Sequence, residues 1–295
     1  MKFIIPNFWR KNNFVTYLLL PLTIITNLII LLKKNKKPHI SKISSICVGN
    51  IYLGGTGKTS LVLKINEILS KVSFKEKDKI KKIAKILSDK YLNGHHLYVF
   101  GTGHNHCIAE ESLHRAGAFA GVTPILDKKI DFSEGVTRAS ANERNKKLAS
   151  KIFKKYKPSK NDSIIIFSNS GINQLPIEFA KIAKKKGLYV ITVLSLKYAD
   201  SLTDVSENKL SNFSDIFIDN HSPIGDTLLK SKNIGISSSS TIVGMFILNS
   251  LWSEMYNHLK KERVIPFYKS SNLPKSKLHN SKLEKKFKKR NIFLK

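Results

Sequence analysis

The chain has 295 residues, enough for one large domain or two modest ones and enough to bury a core without disulfide or metal staples. Forty-one per cent of residues are hydrophobic and 9% aromatic, which excludes a mostly disordered chain. Its two cysteines, Cys47 and Cys107, exclude a disulfide framework and fit a reducing compartment. Lys and Arg number 51 against 21 Asp and Glu, a formal charge of +30. Only Arg10, Arg115, Arg138, Arg144, Arg263 and Arg290 are arginine, however, the residue on which readers of phosphates and bases lean. The charge therefore reads as a lysine-rich composition, and no nucleic-acid partner is expected.

In chain order, Phe14 to Leu32 (FVTYLLLPLTIITNLIILL) carries no charge and is near the minimum length for a helix that spans a bilayer. The cluster KKNKKPHISK (33–42) follows and suits anionic headgroups, and Phe8 and Trp9 beside Arg10 and Lys11 suit an interfacial anchor. Membrane contact, spanning or interfacial, is the expectation for residues 1–40. Pro21, Asn27 and three threonines keep a buried core helix as the alternative. ISSICVGN (43–50) reads as a buried strand leading into a glycine-rich loop and a helix over 58–71. The charged stretch VSFKEKDKIKK (72–82) marks a composition break, so modules are expected at 41–72 and 73–295. Beyond it, strands are predicted at 96–100, 163–167, 189–194 and 215–219, and helices at 80–92, 106–117, 142–155, 173–186 and 239–260. This alternation predicts an α/β fold with a mostly parallel, doubly wound sheet and helices on both faces. Ligands of such sheets bind at the carboxyl ends of the strands.

Two sets of loops carry the chemistry. The first is Gly54-Gly55-Thr56-Gly57-Lys58-Thr59. Its glycines let backbone N–H groups approach phosphates, Lys58 reaches β/γ oxygens, and Thr59 suits Mg²⁺. Tyr52 stands where the general phosphate-loop pattern has its first glycine. With PNFW, YLLLPLT and ICVGNIYLGGTGKTS, residues 1–71 resemble the N-terminus of tetraacyldisaccharide 4'-kinase, although Ser60 replaces the usual proline of GKTP. That family is an inner-membrane-associated, ATP-dependent kinase of lipid A biosynthesis, so the resemblance implies ATP and Mg at residues 54–59. Its later SRGYG-like and DDGFQ-like stretches are absent here. Without an acidic Mg²⁺ ligand on a second strand, phosphoryl transfer is expected to be lost.

The second set follows two predicted strands: Gly101-Thr102-Gly103-His104-Asn105-His106 and Ser168-Asn169-Ser170-Gly171. Hydroxyls of Thr102, Ser168 and Ser170, with helix N-terminal amides, suit a phosphate. A third polar run, Ser237 to Thr241, precedes an apolar helix, where Ser240 and Thr241 read equally as a cap or as ligand contacts. VFGTGHNHCIAEESLHRAGAF, PILD, SNSGINQLPIEFAKIAKKKGLYVI and HNSKLEKKFKKR are similar to the sugar isomerase (SIS) domain over residues 74–293, and most to a stand-alone branch of phosphosugar-binding proteins. The resemblance implies a three-layer αβα sandwich, an oligomer, and a sugar-phosphate site at Thr102, Asn105, Ser168, Asn169, Ser170, Ser240 and Thr241. Asn105 departs from the branch's GTGHSH, replacing a hydroxyl with an amide.

Aldose–ketose isomerisation needs a base and an acid beside the carbonyl. The candidates are His104, Glu110 and Glu111. Glu111 resembles an acidic position of lyases that act on phosphorylated muramic acid. His106 and Glu143 also fall near the crevice, though Glu143 in ANERNKK reads as an exposed helix start. His104, His106, Cys107 and His114 match no zinc spacing, and Cys107 is expected on an apolar helix face, so no metal is assigned. The expected function is binding and isomerase or lyase chemistry on a phosphorylated sugar or amino sugar, with no cofactor for that domain. The alternatives are a working lipid A pathway kinase and a non-catalytic sugar-phosphate sensor. An anionic membrane surface is the expected second partner, and the location is the cytoplasmic face of the inner membrane or the cytoplasm.

Overall fold

The computed structural model describes residues 58–202 and 208–294. The apolar segment 14–32, the basic cluster 33–42, the strand expected at 43–50, Cys47 and the loop Gly54–Gly57 lie outside the described residues. Chain contacts divide the protein between Ile51 and Tyr52, and the second unit is the one described below.

Helix α1 (Lys58–Lys75) is followed almost directly by α2 (Lys77–Leu92). In α1, Ile65, Ile68 and Val72 recur at spacings of three and four and are buried, the stripe of a helix that packs on a core. Ile68 and Val72 join α2 and the sheet in one hydrophobic cluster. The composition break at 72–82 therefore falls inside continuously packed helical chain. The boundary expected at residue 72 is not a boundary of the fold, because all the charges of this stretch but buried Glu76 lie on the outer faces of helices whose inner faces are apolar.

Five parallel strands form the sheet: β1 (Leu97–Gly101), β2 (Val122–Ile125), β3 (Ser163–Phe167), β4 (Tyr189–Leu194) and β5 (Ile216–Asp219). Their spatial order is β2-β1-β3-β4-β5, a doubly wound arrangement that reverses direction between β1 and β3. Residues of β1 and β3 are fully buried, as parallel strands covered on both faces must be.

Between the strands run α3 (His106–Glu111), α4 (Val136–Asn142), α5 (Lys147–Tyr156), α6 (Gln174–Lys185) and α7 (Leu196–Leu202); an antiparallel pair, β6 (Thr227–Ser231) and β7 (Ile234–Ser238), precedes α8 (Ser240–Leu259) and α9 (Ser276–Phe287). On one sheet face, residues of α1, α2, α3, α8 and α9 enclose Val99, Ile165, Phe167 and Val193. On the other, residues of α5 and α6 cover Tyr98, Phe100, Ile164 and Ile166, with the Phe179 ring stacked 4.0 Å from that of Phe100. The result is a three-layer αβα sandwich.

Three expectations need correction. The helix expected over 142–155 starts only at Lys147, as α5; α4 ends at Asn142, and Glu143–Lys146 separate the two. The helix expected over 106–117 ends at Glu111. Cys107 is exposed, while its neighbour Ile108 is buried. Among the described residues, no helix is long and apolar enough to cross a membrane.

Candidate functional site at the sheet switch point

The register of β1 on β3 pairs Gly101 with Phe167. The loops that leave these two residues therefore start side by side at the carboxyl edge, at the point where the strand order reverses. Gly101 is required here: a Cβ at this position would sit 2.3 Å from the backbone oxygen of Asn105, because the chain turns back on itself at once. Gly103 adopts φ +55, and the Ile130 carbonyl holds its N–H at 2.8 Å. In the second loop, Gly171 (φ +64) lies so close to Leu194 that a Cβ would meet its side chain at 2.6 Å.

The first loop presents Thr102, His104, Asn105 and His106. The Thr102 hydroxyl, buried, donates to Glu143 Oε1 at 2.6 Å. Asn105 is buried, with its amide N–H on the Thr102 carbonyl. His106 is buried, its Nδ1 lies 3.3 Å from Glu110 Oε1, and its Nε2 has no partner among the described residues. Glu110 is otherwise exposed, and Glu111 is paired with Arg115 at 3.2 Å. Asp131, on the loop after β2, is pushed up by burial but held below its ordinary value by hydrogen bonds from Ser133 and the positive fields of His106 and Lys128.

The second loop presents Ser168 and Asn169, both buried, and half-buried Ser170. Neither serine hydroxyl has a hydrogen-bond partner among the described residues. Asn169 Oδ1 accepts from the Asn220 amide at 2.9 Å, which leaves Asn169 Nδ2 buried and unpartnered.

The N-terminus of α8 comes alongside, since Gly244 lets that helix approach Ile108 and Phe167. Ser239 and Ser240 are buried there, and Thr241 is half-buried. Their donors face a protein carboxylate: Asp226 Oδ2 accepts the Ser240 hydroxyl at 2.7 Å, and Oδ1 accepts the Ser240 N–H at 2.8 Å. Ser240 Oγ also lies 3.1 Å from His104 Nε2.

Two residues of this arrangement were not singled out by sequence reasoning as carrying it. Glu143 sits in the break between α4 and α5, half-buried, with Oε2 3.4 Å from the Asn173 amide and its carbonyl accepting the Leu175 N–H. It bridges the two loops, yet nothing in ANERNKK distinguishes it from an exposed helix start. Asp226 precedes β6, and no local motif announces it.

Among the described residues, no group of three His, Cys, Asp or Glu side chains is placed to hold a metal ion. A concavity of about 820 Å³ lies elsewhere, lined by Phe153, Ile182 and five lysines at the amino-end side of the sheet.

The family model of the SIS domain matches residues 62–195, and that of tetraacyldisaccharide-1-P 4'-kinase matches residues 15–76. Over residues 62–195 the α/β fold and the switch-point loops agree with the first of these matches, so that this stretch is similar to the SIS domain. A UPF0309 protein of Caldanaerobacter subterraneus subsp. tengcongensis is 37% identical over 241 residues, covering 78% of this chain and 98% of that one. A UPF0309 protein of Brucella anthropi is 34% identical over 215 residues, 72% of this chain and 88% of that one. The chain belongs to the UPF0309 family. Among solved structures, a phosphoheptose isomerase from Neisseria gonorrhoeae is similar at 11% identity and a TM-score of 0.46, covering 68% of this chain and 96% of that one.

Proposed function

We propose that this protein binds a phosphorylated sugar or amino sugar at the β1/β3 switch point and interconverts its aldose and ketose forms. The observation that carries the reading is the pair of loops after β1 and β3, adjacent through Gly101 and Phe167, with the Ser168 and Ser170 hydroxyls uncommitted.

Electrostatics orders the substrate within the crevice. Thr102 already donates to Glu143, and the α8 N-terminus already faces Asp226. A dianionic phosphate is repelled by both carboxylates, so its place is at Ser168, Asn169 and Ser170. There two hydroxyls and the unpartnered Asn169 Nδ2 are the available donors. The carbonyl end of the sugar then faces the first loop, where His104 and Glu143 are the acid–base groups nearest the glycines. In the reaction a base removes the C–H proton next to the carbonyl; the C–H electron pair becomes the C=C bond of an enediol while the C=O π pair moves onto oxygen, which takes a proton from the paired acid. The proton held by the base is then delivered to the former carbonyl carbon, as the hydroxyl on the neighbouring carbon returns its proton to the acid and becomes the new C=O. Positioned acid–base groups contribute about 10²–10⁴-fold to such a step. Glu110 and Glu111 are second candidates, with Glu111 first requiring release from Arg115.

Calorimetry with a panel of phosphosugars tests the assignment. The Ser168→Ala/Ser170→Ala double variant should bind at least about tenfold more weakly, since hydrogen bonds to a charged group contribute about 1.5–3 kcal/mol each. Unchanged affinity would refute the site. Thermal stabilisation by a phosphosugar without turnover selects the sensor reading instead.

A second reading is favoured by the kinase-model match at residues 15–76. ATP and Mg would be held by Gly54, Gly55, Thr56, Gly57, Lys58 and Thr59, and residues 1–40 would hold the protein at an anionic membrane on its cytoplasmic side. ATP-dependent phosphorylation of a lipid A precursor, lost in Lys58→Ala, would rank this reading first. The sugar site itself calls for no cofactor, and a homo-oligomer is proposed on the SIS likeness.

A further inference from the structure

Asp226 stands between two elements with its carboxylate fully engaged. Its Oδ1 accepts three donors: the Ser240 N–H at 2.8 Å, the Ser239 N–H at 3.2 Å and the Ser239 hydroxyl at 2.9 Å. Its Oδ2 accepts the Ser240 hydroxyl at 2.7 Å. The backbone bends sharply to bring it there. Gly225 and Asp226 both lie in the left-handed region, at φ 76 and 62, a conformation that aspartate tolerates better than most side chains. It stands at the start of the 20-residue helix α8, where the first backbone N–H groups have no partner within the helix and turn to its oxygens.

This fixes a proton on a different residue. The Ser240 hydrogen is committed to Asp226, so the serine oxygen that faces His104 Nε2 at 3.1 Å acts as an acceptor. His104 Nε2 must then carry the hydrogen, and Nδ1 is left with the lone pair.

We propose that Asp226 is a positioning residue which, through Ser240, holds His104 in the Nε2–H form so that Nδ1 is its proton-accepting nitrogen. The inference rests on the reading of the crevice as a phosphosugar site for its catalytic meaning, but the tautomer itself does not depend on the ligand. When Nδ1 takes the substrate C–H proton, the imidazolium formed keeps its Nε2–H on Ser240. The carboxylate behind Ser240 offsets the new positive charge.

The test is the nitrogen-15 signature of His104 in the full-length protein, read by long-range proton–nitrogen correlation in its neutral form. Wild type should show the Nε2–H tautomer. In Asp226→Asn, the side-chain carbonyl should keep the Oδ1 place, where three donors converge, and the NH₂ should fall against Ser240 Oγ. Ser240 must then turn its hydrogen toward His104, so the majority tautomer should reverse to Nδ1–H. Ser240→Ala leaves the backbone N–H groups on Asp226 and so guards against a merely unfolded variant; its His104 N–H should lose protection from solvent exchange. Turnover of whichever phosphosugar binds should fall about tenfold or more in kcat in both variants, with KM changed less than threefold. An Nδ1–H wild type, or a tautomer unmoved by Asp226→Asn in a folded protein, overturns the proposal. If no phosphosugar binds wild type while the tautomer reverses as described, the phosphosugar reading fails and the Asp226–Ser240–His104 coupling stands.

Discussion

His96 enters β1 with its ring withdrawn from water, Nε2 hydrogen-bonded to Thr123 at 2.7 Å, and its backbone N–H donates to Asp162 Oδ1. Burial, and secondarily the Arg290 guanidinium, pushes its pKa down to about 3 from an ordinary 6.5. A histidine depressed in the folded state binds its proton only on unfolding. Its contribution to stability is complete above 6.5 and is lost as pH falls toward 3. At pH 5 the loss is about 2 kcal/mol, taking 1.36 kcal/mol per unit over the interval below 6.5. Urea unfolding at pH 7 and pH 5 should show wild type less stable at the lower pH. His96→Gln, which keeps a partner for Thr123 but cannot charge, should narrow that difference by about the same amount; an equal difference in both proteins would show that His96 is not the group responsible. The same scale marks what sequence could and could not reveal of the crevice. Thr102, His104, Ser168 and Ser170 were legible because small polar residues directly after strands have one place to go, the carboxyl edge. Glu143 was placed near the crevice but read as an exposed helix start, and Asp226 was not found, because they reach Thr102 and Ser240 from 41 and 14 residues away, across elements whose packing no local pattern encodes.

At the level of elements, α1 shows how composition and packing diverge. The charged stretch 72–82, from its last turn into α2, read as a module boundary, while Ile65, Ile68 and Val72 seal the core beneath. Glu76, between α1 and α2, reinforces this. Burial raises its pKa, but His221 at 3.3 Å and Lys79 at 2.8 Å outweigh burial and hold it below the ordinary carboxylate value. Val72→Ala should therefore cost about 2 kcal/mol in denaturant unfolding and Ile68→Ala about 2–5, while Leu63→Ala, 63% exposed on the same helix, should stay within about 0.5. Equal, small effects at all three positions would mean that α1 is an appendage. Strand β2 escaped prediction because it is four residues long and contains Pro124, which is tolerated only because β2 is the sheet edge. The β6–β7 pair escaped because β7 is exposed along its whole length, and its one alternation, Ile234 and Ile236, is too short to mark a strand. Strands β1, β3 and β4 were legible because parallel strands buried on both faces must be apolar throughout, and the short edge strand β5 through its run Ile216-Phe217-Ile218.

For the whole molecule, the net charge of +30 is a term in stability as well as in recognition. Six lysines, Lys64, Lys71, Lys79, Lys155, Lys184 and Lys209, pair with carboxylates among the described residues. With 51 basic against 21 acidic side chains, one-to-one pairing would leave an excess of 30 basic groups unpaired whatever the fold. Their mutual repulsion is stronger in the compact state, where they are held closer together, than in an expanded chain. Salt shortens its reach, from a Debye length of about 30 Å at 0.01 M to about 10 Å at 0.1 M. Raising NaCl from 20 to 200 mM should therefore stabilise the protein, and each kcal/mol of relieved repulsion moves Tm by about 2–4 °C in a protein of this size. The same screening should weaken phosphosugar binding, because the lysine field that destabilises the fold also attracts a dianion. Opposite salt dependences of Tm and affinity are the expected pair of results, measured by calorimetry over one NaCl series. A Tm that falls with salt would mean that the ion pairs, rather than the unpaired lysines, dominate the electrostatics of the fold.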